Sequence, residues 1–267
     1  MTVTEAIRRG FGVAGRSFGV LAILFLFNLI WDLGTLPFVS NVQSPAGLAV
    51  PPRLMFLSTV FIFLNIFVQG GVFGTLKDII VSGGTFTPAG FMKQGGKFYV
   101  RFLLMGLLIL GVILAAGLAA VLLFGGAVLS KNVVITIITA CLGLGLSAIA
   151  LYYLFLIFLS PYVLVLDDIG VLKAIGGSVR FVRSDLFKMT VLLTLLTLIG
   201  LGLGFILGIV SGIIGGVLKG TGLKVLTITL SSAVNSYITV IISAALMIYY
   251  HEAVNPEEKK EPTAAPA

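Results

Sequence analysis

Few residues in this chain could do chemistry: it has one histidine and one cysteine. His251 stands next to Glu252 at the end of a long apolar run, where a lone His–Glu pair reads as a helix end at an interface rather than an acid/base couple. Cys141 lies among Gly143, Gly145 and Ala148 inside another apolar run. A single cysteine forms no intramolecular disulfide, so packing is its expected role. No His, Cys, Asp and Glu residues fall at metal-ligand spacing, and there is no Gly-x-Ser-x-Gly elbow or phosphate-cradling loop with its lysine. The sequence GLGLG, from Gly200 to Gly204, is no nucleotide fingerprint because no strand precedes it. Catalytic, metal and cofactor residues are therefore none, and the expected protein is not an enzyme. The polar residues left inside apolar runs are Asn28 and Asp32, Asn65 and Gln69, and Asn235 with Ser231 and Ser232. Asn28/Asp32 and Asn65/Gln69 are each four apart, on one helix face. A carboxylate inside a membrane is costly and so is a functional candidate. Asn28, Asp32, Asn65, Gln69 and Asn235 form a candidate polar crevice for a headgroup or small solute, or else interhelical hydrogen bonds that fix packing.

The elements that must position these residues are membrane helices. Of 267 residues 58% are hydrophobic and only 10% charged, and mean hydropathy is +1.17, whereas soluble chains carry about a quarter charged residues. This excludes a disulfide scaffold, a disordered chain and a soluble nucleic-acid-binding domain. Apolar stretches of about 20 residues, enough for a hydrocarbon core of about 30 Å, occur over roughly 17–38, 55–81, 98–124, 132–160, 189–216 and 225–250. The first is read as a span and not a cleaved leader, because it continues past Trp31 and Asp32 to Phe38. The expected fold is all-α, one domain over 1–253 with six transmembrane helices. The tail, 254–267, is polar, rich in Pro and Ala, and expected to be disordered.

Cations sort by alternate loops. Arg8, Arg9 and Arg16 precede the first span; Lys77, Lys93, Lys97 and Arg101 follow the second; Lys173, Arg180, Arg183 and Lys188 follow the fourth; Lys259 and Lys260 lie in the tail. The opposite side holds only Arg53, Lys131, Lys219 and Lys224. The bias puts both termini in the cytoplasm and accounts for the net charge of +7 without nucleic acid.

Each cytoplasmic cluster sits in a short amphipathic segment: TEAIRRGFGVAGR, TPAGFMKQGGKFYVR and GVLKAIGGSVRFVRSD. Ala6, Ala89 and Ala174 in them are 83 and 85 residues apart, which suggests three tandem units of in-plane helix plus helical hairpin. In the third segment Leu172, Ile175, Val179, Val182 and Leu186 recur at three- and four-residue steps, with Lys173, Arg180 and Arg183 on another face. That is the layout of a helix in the headgroup layer with cations toward anionic lipid, or else of a helix packed against its own bundle whose cations only enforce topology. Pro161 should end or kink the fourth span, leaving Asp167 and Asp168 to cap the in-plane helix. In the fifth span Gly200, Gly204, Gly208, Gly212 and Gly216 recur at every fourth position, a pattern that admits another helix at close range. Packing within the chain is the first use expected of them, and a homo-oligomer contact or a flexible pore-lining helix the alternatives.

The stretch Pro161, Tyr162, Val163, Leu166, Asp167, Asp168, Gly170, Ala174 and Ser178 resembles the signature of a family of six-helix membrane domains, found fused to bacterial glycerophosphodiester phosphodiesterases and as stand-alone membrane proteins of undetermined role. Gly70, Gly71, Gly83, Gly84 and TFTPAGFMKQGGKFYVRF resemble that family's second cytoplasmic segment. The resemblance implies an architecture and not an activity, since the hydrolase's catalytic histidines and metal carboxylates have no counterpart here. The function expected is that of a non-enzymatic protein of the cell membrane that organises or senses the bilayer, or scaffolds envelope proteins, through basic helices on anionic headgroups. Its partners would be lipids, a membrane protein or a second copy. The alternative is a transporter or channel built on the polar crevice.

Overall fold

The computed structural model describes residues 1–39, 52–129, 132–217 and 220–255. They form nine helices and no strand: α1 (Val3–Arg16), α2 (Phe18–Val39), α3 (Pro52–Ser82), α4 (Pro88–Leu129), α5 (Val133–Ile157), α6 (Ser160–Leu166), α7 (Val171–Ser184), α8 (Leu186–Val217) and α9 (Thr221–Val254). Six stretches are long and apolar enough to cross a membrane: Phe18–Leu36, Pro52–Ser82, Pro88–Gly126, Val133–Leu166, Leu186–Gly215 and Gly222–Val254. Each contains most or all of an expected span. The tail from residue 256, and Lys131 and Lys219, lie outside the described residues.

Contacts cluster into two compact units, the first from Met1–Tyr99 with Leu186 onward and the second Val100–Asp185. In the first, α1 lies on α9, which also packs against α2, α3 and α8. In the second, α7 lies on α5 and α6.

The threefold pattern is present, with a register two residues from the one the alanines suggest. Ala6 and Ala174 are wholly buried, but Ala89 is exposed and Phe91 takes the equivalent buried place. The small residues that follow, Gly10, Gly95 and Ser178, are the docking points. A Cβ on Gly10 would lie 3.0 Å from the Ala245 Cβ and 3.1 Å from the Ile241 carbonyl oxygen. One on Gly95 would meet the Phe67 ring at 2.9 Å. Ser178 Oγ donates to the Leu156 carbonyl at 2.7 Å. The receiving helices carry one spacing: Phe67, Gly71, Gly74, Asp78; Leu156, Ser160, Val163, Asp167; Ile241, Ala245, Ile248, Glu252. The second and third amphipathic segments thus dock on the second helix of the preceding hairpin, and α1 docks on α9.

The middle segment is no separate helix: α4 runs unbroken from Pro88 through the third span. The reason lies seven residues beyond each docking point. Ser17 and Asp185 stand there in the first and third copies, both cap-forming residues with non-helical backbone. Ser17 receives the end of α1 through its N–H, bonded to the Val13 and Ala14 carbonyls, and starts α2 by accepting from Leu21 N–H. The middle copy has Phe102, buried, which gives the chain no cause to leave the helix.

Pro161 breaks its helix as expected. The ladder shortens at Phe158, whose N–H reaches the Phe155 carbonyl, and α6 resumes with Pro161 in its first turn, where a missing N–H costs nothing. Asp167 and Asp168 do not cap α7. Its N-cap is Gly170, without a side-chain bond. Asp167 closes α6, and Asp168, at φ 51°, accepts from Arg101 Nη1 at 2.6 Å.

Candidate functional site

The polar residues of α2 find partners on α9: Ser232, which belongs to the expected polar patch, and Ser236, which does not. Asn28 Nδ2 donates to Ser236 Oγ at 3.0 Å, and Ser232 Oγ donates to Asp32 Oδ2 at 2.9 Å. Ser236 Oγ in turn donates to the Ser232 carbonyl at 2.7 Å. Ser232 and Ser236 are almost wholly buried. A four-residue step on α2 meets a four-residue step on α9 running the other way, so the two helices are antiparallel. Asn235 does not join them: it is exposed, one residue before Ser236 and so about 100° round the helix. Asn65 and Gln69 are half-buried on α3, and their side chains make no hydrogen bond among the described residues. The five-residue crevice is therefore a two-by-two polar clasp between α2 and α9, with each contact worth about 0.5–2 kcal/mol. Next to it, Trp31 and Phe27 stack on Phe61 at centroid distances of 3.9 and 4.9 Å, which makes the α2–α3 groove apolar.

The glycine row of α8 is not used for packing in its own unit. Gly200 has only an ordinary contact, its Cβ position 3.9 Å from Ile238, and within that unit nothing comes within 4 Å at Gly204, Gly208 or Gly212. The surroundings of Gly216 lie outside the described residues. The cause is geometric. The buried seam of α8 starts at Met189, Leu192 and Leu196 and continues through half-buried Leu203, Leu207, Ser211 and Ile214. A four-residue repeat advances about 40° too far at each step, so the glycines walk off this seam after Gly200.

On α7 the face toward its unit is Ala174, Ser178 and Val182, all buried, while Lys173, Arg180 and Arg183 are exposed on the other side and make no ion pair among the described residues. Leu172 is 74% exposed beside those cations. The expected apolar stripe is thus divided: Val182 packs inward, Ile175 and Val179 are half-buried, and Leu172 and Leu186 face out.

A site that the residue pattern did not announce lies at one end of the first unit. Arg9, Gly12, Val13 and Arg16 of α1, Ile79 and Ile80 of α3, and Ile248, His251 and Glu252 of α9 line a cup of about 400 Å³. Arg9 and Arg16 are seven residues apart, about 20° from one line along the helix. Arg9 is held by Glu252 and, 3.8 Å away, by Glu5 one turn back. The Arg9–Glu252 pair has its counterpart in the middle copy, where Gln94 Nε2 donates to Asp78 Oδ2 at 2.8 Å. The signal was present in the seven-residue spacing of the arginines, but His251 and Glu252 join them only because α1 docks on the far end of the chain.

Residues 1–253 match the family described as "Domain of unknown function (DUF7847)". The chain belongs to that family. Its match includes α7 and every residue of the cup, and membership by itself brings no activity. No curated protein and no solved structure matches the chain.

Proposed function

We propose that this member of the family is a multi-pass protein of the cell membrane, with both termini in the cytoplasm, that organises or senses the bilayer by holding anionic headgroups on its basic amphipathic helices. It is not an enzyme in this reading. The observation that carries the proposal is the division of α7 into a buried face of Ala174, Ser178 and Val182 and an opposite, unpaired cationic face of Lys173, Arg180 and Arg183. A helix fixed to its own bundle by small residues can present three cations to phosphates without reorganising, and each cation near an anionic surface is worth about 1 kcal/mol. The orientation draws on the Lys/Arg bias of the loops and on the Arg9–Glu252 pair, which holds α1 and the end of α9 at the same end of their unit. The resemblance to the membrane domain attached to glycerophosphodiester phosphodiesterases fits such an architecture.

Lys173, Arg180 and Arg183 changed together to Gln test this. Wild-type protein purified from mixed phosphatidylcholine and phosphatidylglycerol micelles should enrich phosphatidylglycerol, less so as salt rises. The triple variant should lose that enrichment by up to about 1 kcal/mol per cation; equal enrichment would sink the proposal. The transporter reading draws less support, because Asn28 and Asp32 are taken up by Ser236 and Ser232.

A further inference from the structure

The cup between α1, α3 and α9 combines three features that a surface patch of arginines lacks. Its cation is positioned: Arg9 is tied to Glu5 and Glu252, so its guanidinium is fixed at the rim. Its second cation is available, since Arg16 makes no ion pair among the described residues, and the Val13 and Ala14 carbonyls of the last turn are already bonded to Ser17 N–H. Its centre is open, because Gly12 stands between the two arginines on the same face and nothing lies within 4 Å of where its Cβ would be. The rest of the lining is aliphatic at Val13, Ile79, Ile80 and Ile248, with His251 and Glu252 completing it. Guanidinium forks match phosphate oxygens in pairs, and an aliphatic wall suits the carbon chain that carries the phosphate.

We propose that this cup binds one phosphate-bearing ligand, with Arg16 and His251 contacting the phosphate, Arg9 positioned beside it, and the isoleucines receiving the adjoining carbon chain. The site is distinct from the cationic face of α7, which lies in the other unit, and is stoichiometric where that face is a surface. The same chemistry is offered by a phospholipid headgroup and by a soluble phosphomonoester.

The test uses the full chain in detergent micelles, titrated by native mass spectrometry with phosphatidylglycerol and, separately, with glycerol phosphate. One adduct per chain is expected from at least one of them. Arg16→Gln should weaken it about tenfold or more, as removal of a charged hydrogen-bond partner does. Gly12→Leu should abolish it by filling the cup at unchanged charge, in a helix that accepts leucine better than glycine. Saturation by phosphatidylglycerol alone identifies a headgroup site, and saturation by glycerol phosphate as well identifies a site for phosphate esters in general. An adduct that survives both variants, or no adduct with either probe, overturns the proposal. An adduct lost only when Lys173, Arg180 and Arg183 are replaced also overturns it, while leaving the reading of α7 intact.

Discussion

The helices α1 and α7 occupy equivalent places in the chain's threefold pattern, each short, basic and laid on the second helix of a hairpin, yet they are held in different ways. At α1 the docking point is Gly10, pressed against the α9 backbone at Ala245 and Ile241, and a charged pair, Arg9 with Glu252, closes the contact one residue away. At α7 the docking point is Ser178, whose hydroxyl bonds the Leu156 carbonyl, and the place equivalent to Arg9 is Gly177, whose Cβ would lie 3.1 Å from Val163. One helix spends its cations partly on its own neighbour; the other leaves Lys173, Arg180 and Arg183 facing outward. The same scaffold position can therefore support a built site or a free cationic surface, depending on whether an arginine or a glycine precedes the docking residue.

The largest effect that would break this comparison is at Gly10. Gly10→Leu places a side chain where a Cβ already sits 3.1 Å from backbone atoms of α9, which cannot give way as a flexible side chain would. We expect a loss of about 3 kcal/mol, the upper end for overpacking, in unfolding titrations of the micellar protein. Gly12→Leu, two residues on and facing open space, should leave stability unchanged or slightly raised. Equal behaviour of the two variants would mean that α1 is not docked through Gly10.

A smaller effect is expected at the equivalent point of α7. Ser178→Ala keeps the packing volume but removes a buried hydroxyl donor at 2.7 Å from the Leu156 carbonyl. The cost should be about 1–2 kcal/mol in the same titration, and Ser178→Gly should cost slightly more through helix propensity. A neutral Ser178→Ala would show that the Leu156 carbonyl, beside the Phe158 turn, is satisfied without it.

Much of this architecture was legible in the residues because helices long and apolar enough to cross a membrane leave a strong trace as runs of apolar residues. The three amphipathic segments were visible too, but their register was not. Ala6, Ala89 and Ala174 share an identity, whereas Gly10, Gly95 and Ser178 share a buried place, and burial is a tertiary fact that a one-dimensional match of residue types passes over. The separation of α1 from α2 and of α7 from α8, against the unbroken α4, turned on single residues, Ser17 and Asp185 against Phe102. The polar clasp was half legible. Asn28 and Asp32 stood out as costly in a membrane, and Ser232 was read beside Asn235, but Ser236 is a small hydroxyl residue that carries little signal, and Asn235, the more conspicuous residue, faces outward. The glycine row stood out by its spacing, and its drift of about 40° per step is what carries Gly204, Gly208 and Gly212 off the buried seam of their own unit.

The finest test of the comparison concerns the pairs that close the α1 and middle-copy contacts. Arg9–Glu252 is a charged pair with side chains 46% and 17% exposed, while Gln94–Asp78 at the equivalent place is a hydrogen bond from a neutral amide. If the arginine is present mainly to fasten α1, a double-mutant cycle on Arg9 and Glu252 should give the coupling of a partly exposed ion pair, at most about 1 kcal/mol and falling with salt. The Gln94 and Asp78 cycle should give a similar coupling that responds less to salt. If Arg9 is instead retained for the cup, Arg9→Gln should leave stability almost unchanged, because glutamine can reproduce at Glu252 the bond that Gln94 makes to Asp78. The same variant would then weaken the single adduct expected of the cup. Stability and ligand retention measured on that one variant therefore separate a fastening role from a positioning role. The physical reason is that an amide can replace a guanidinium as a hydrogen-bond donor but not as a fixed charge.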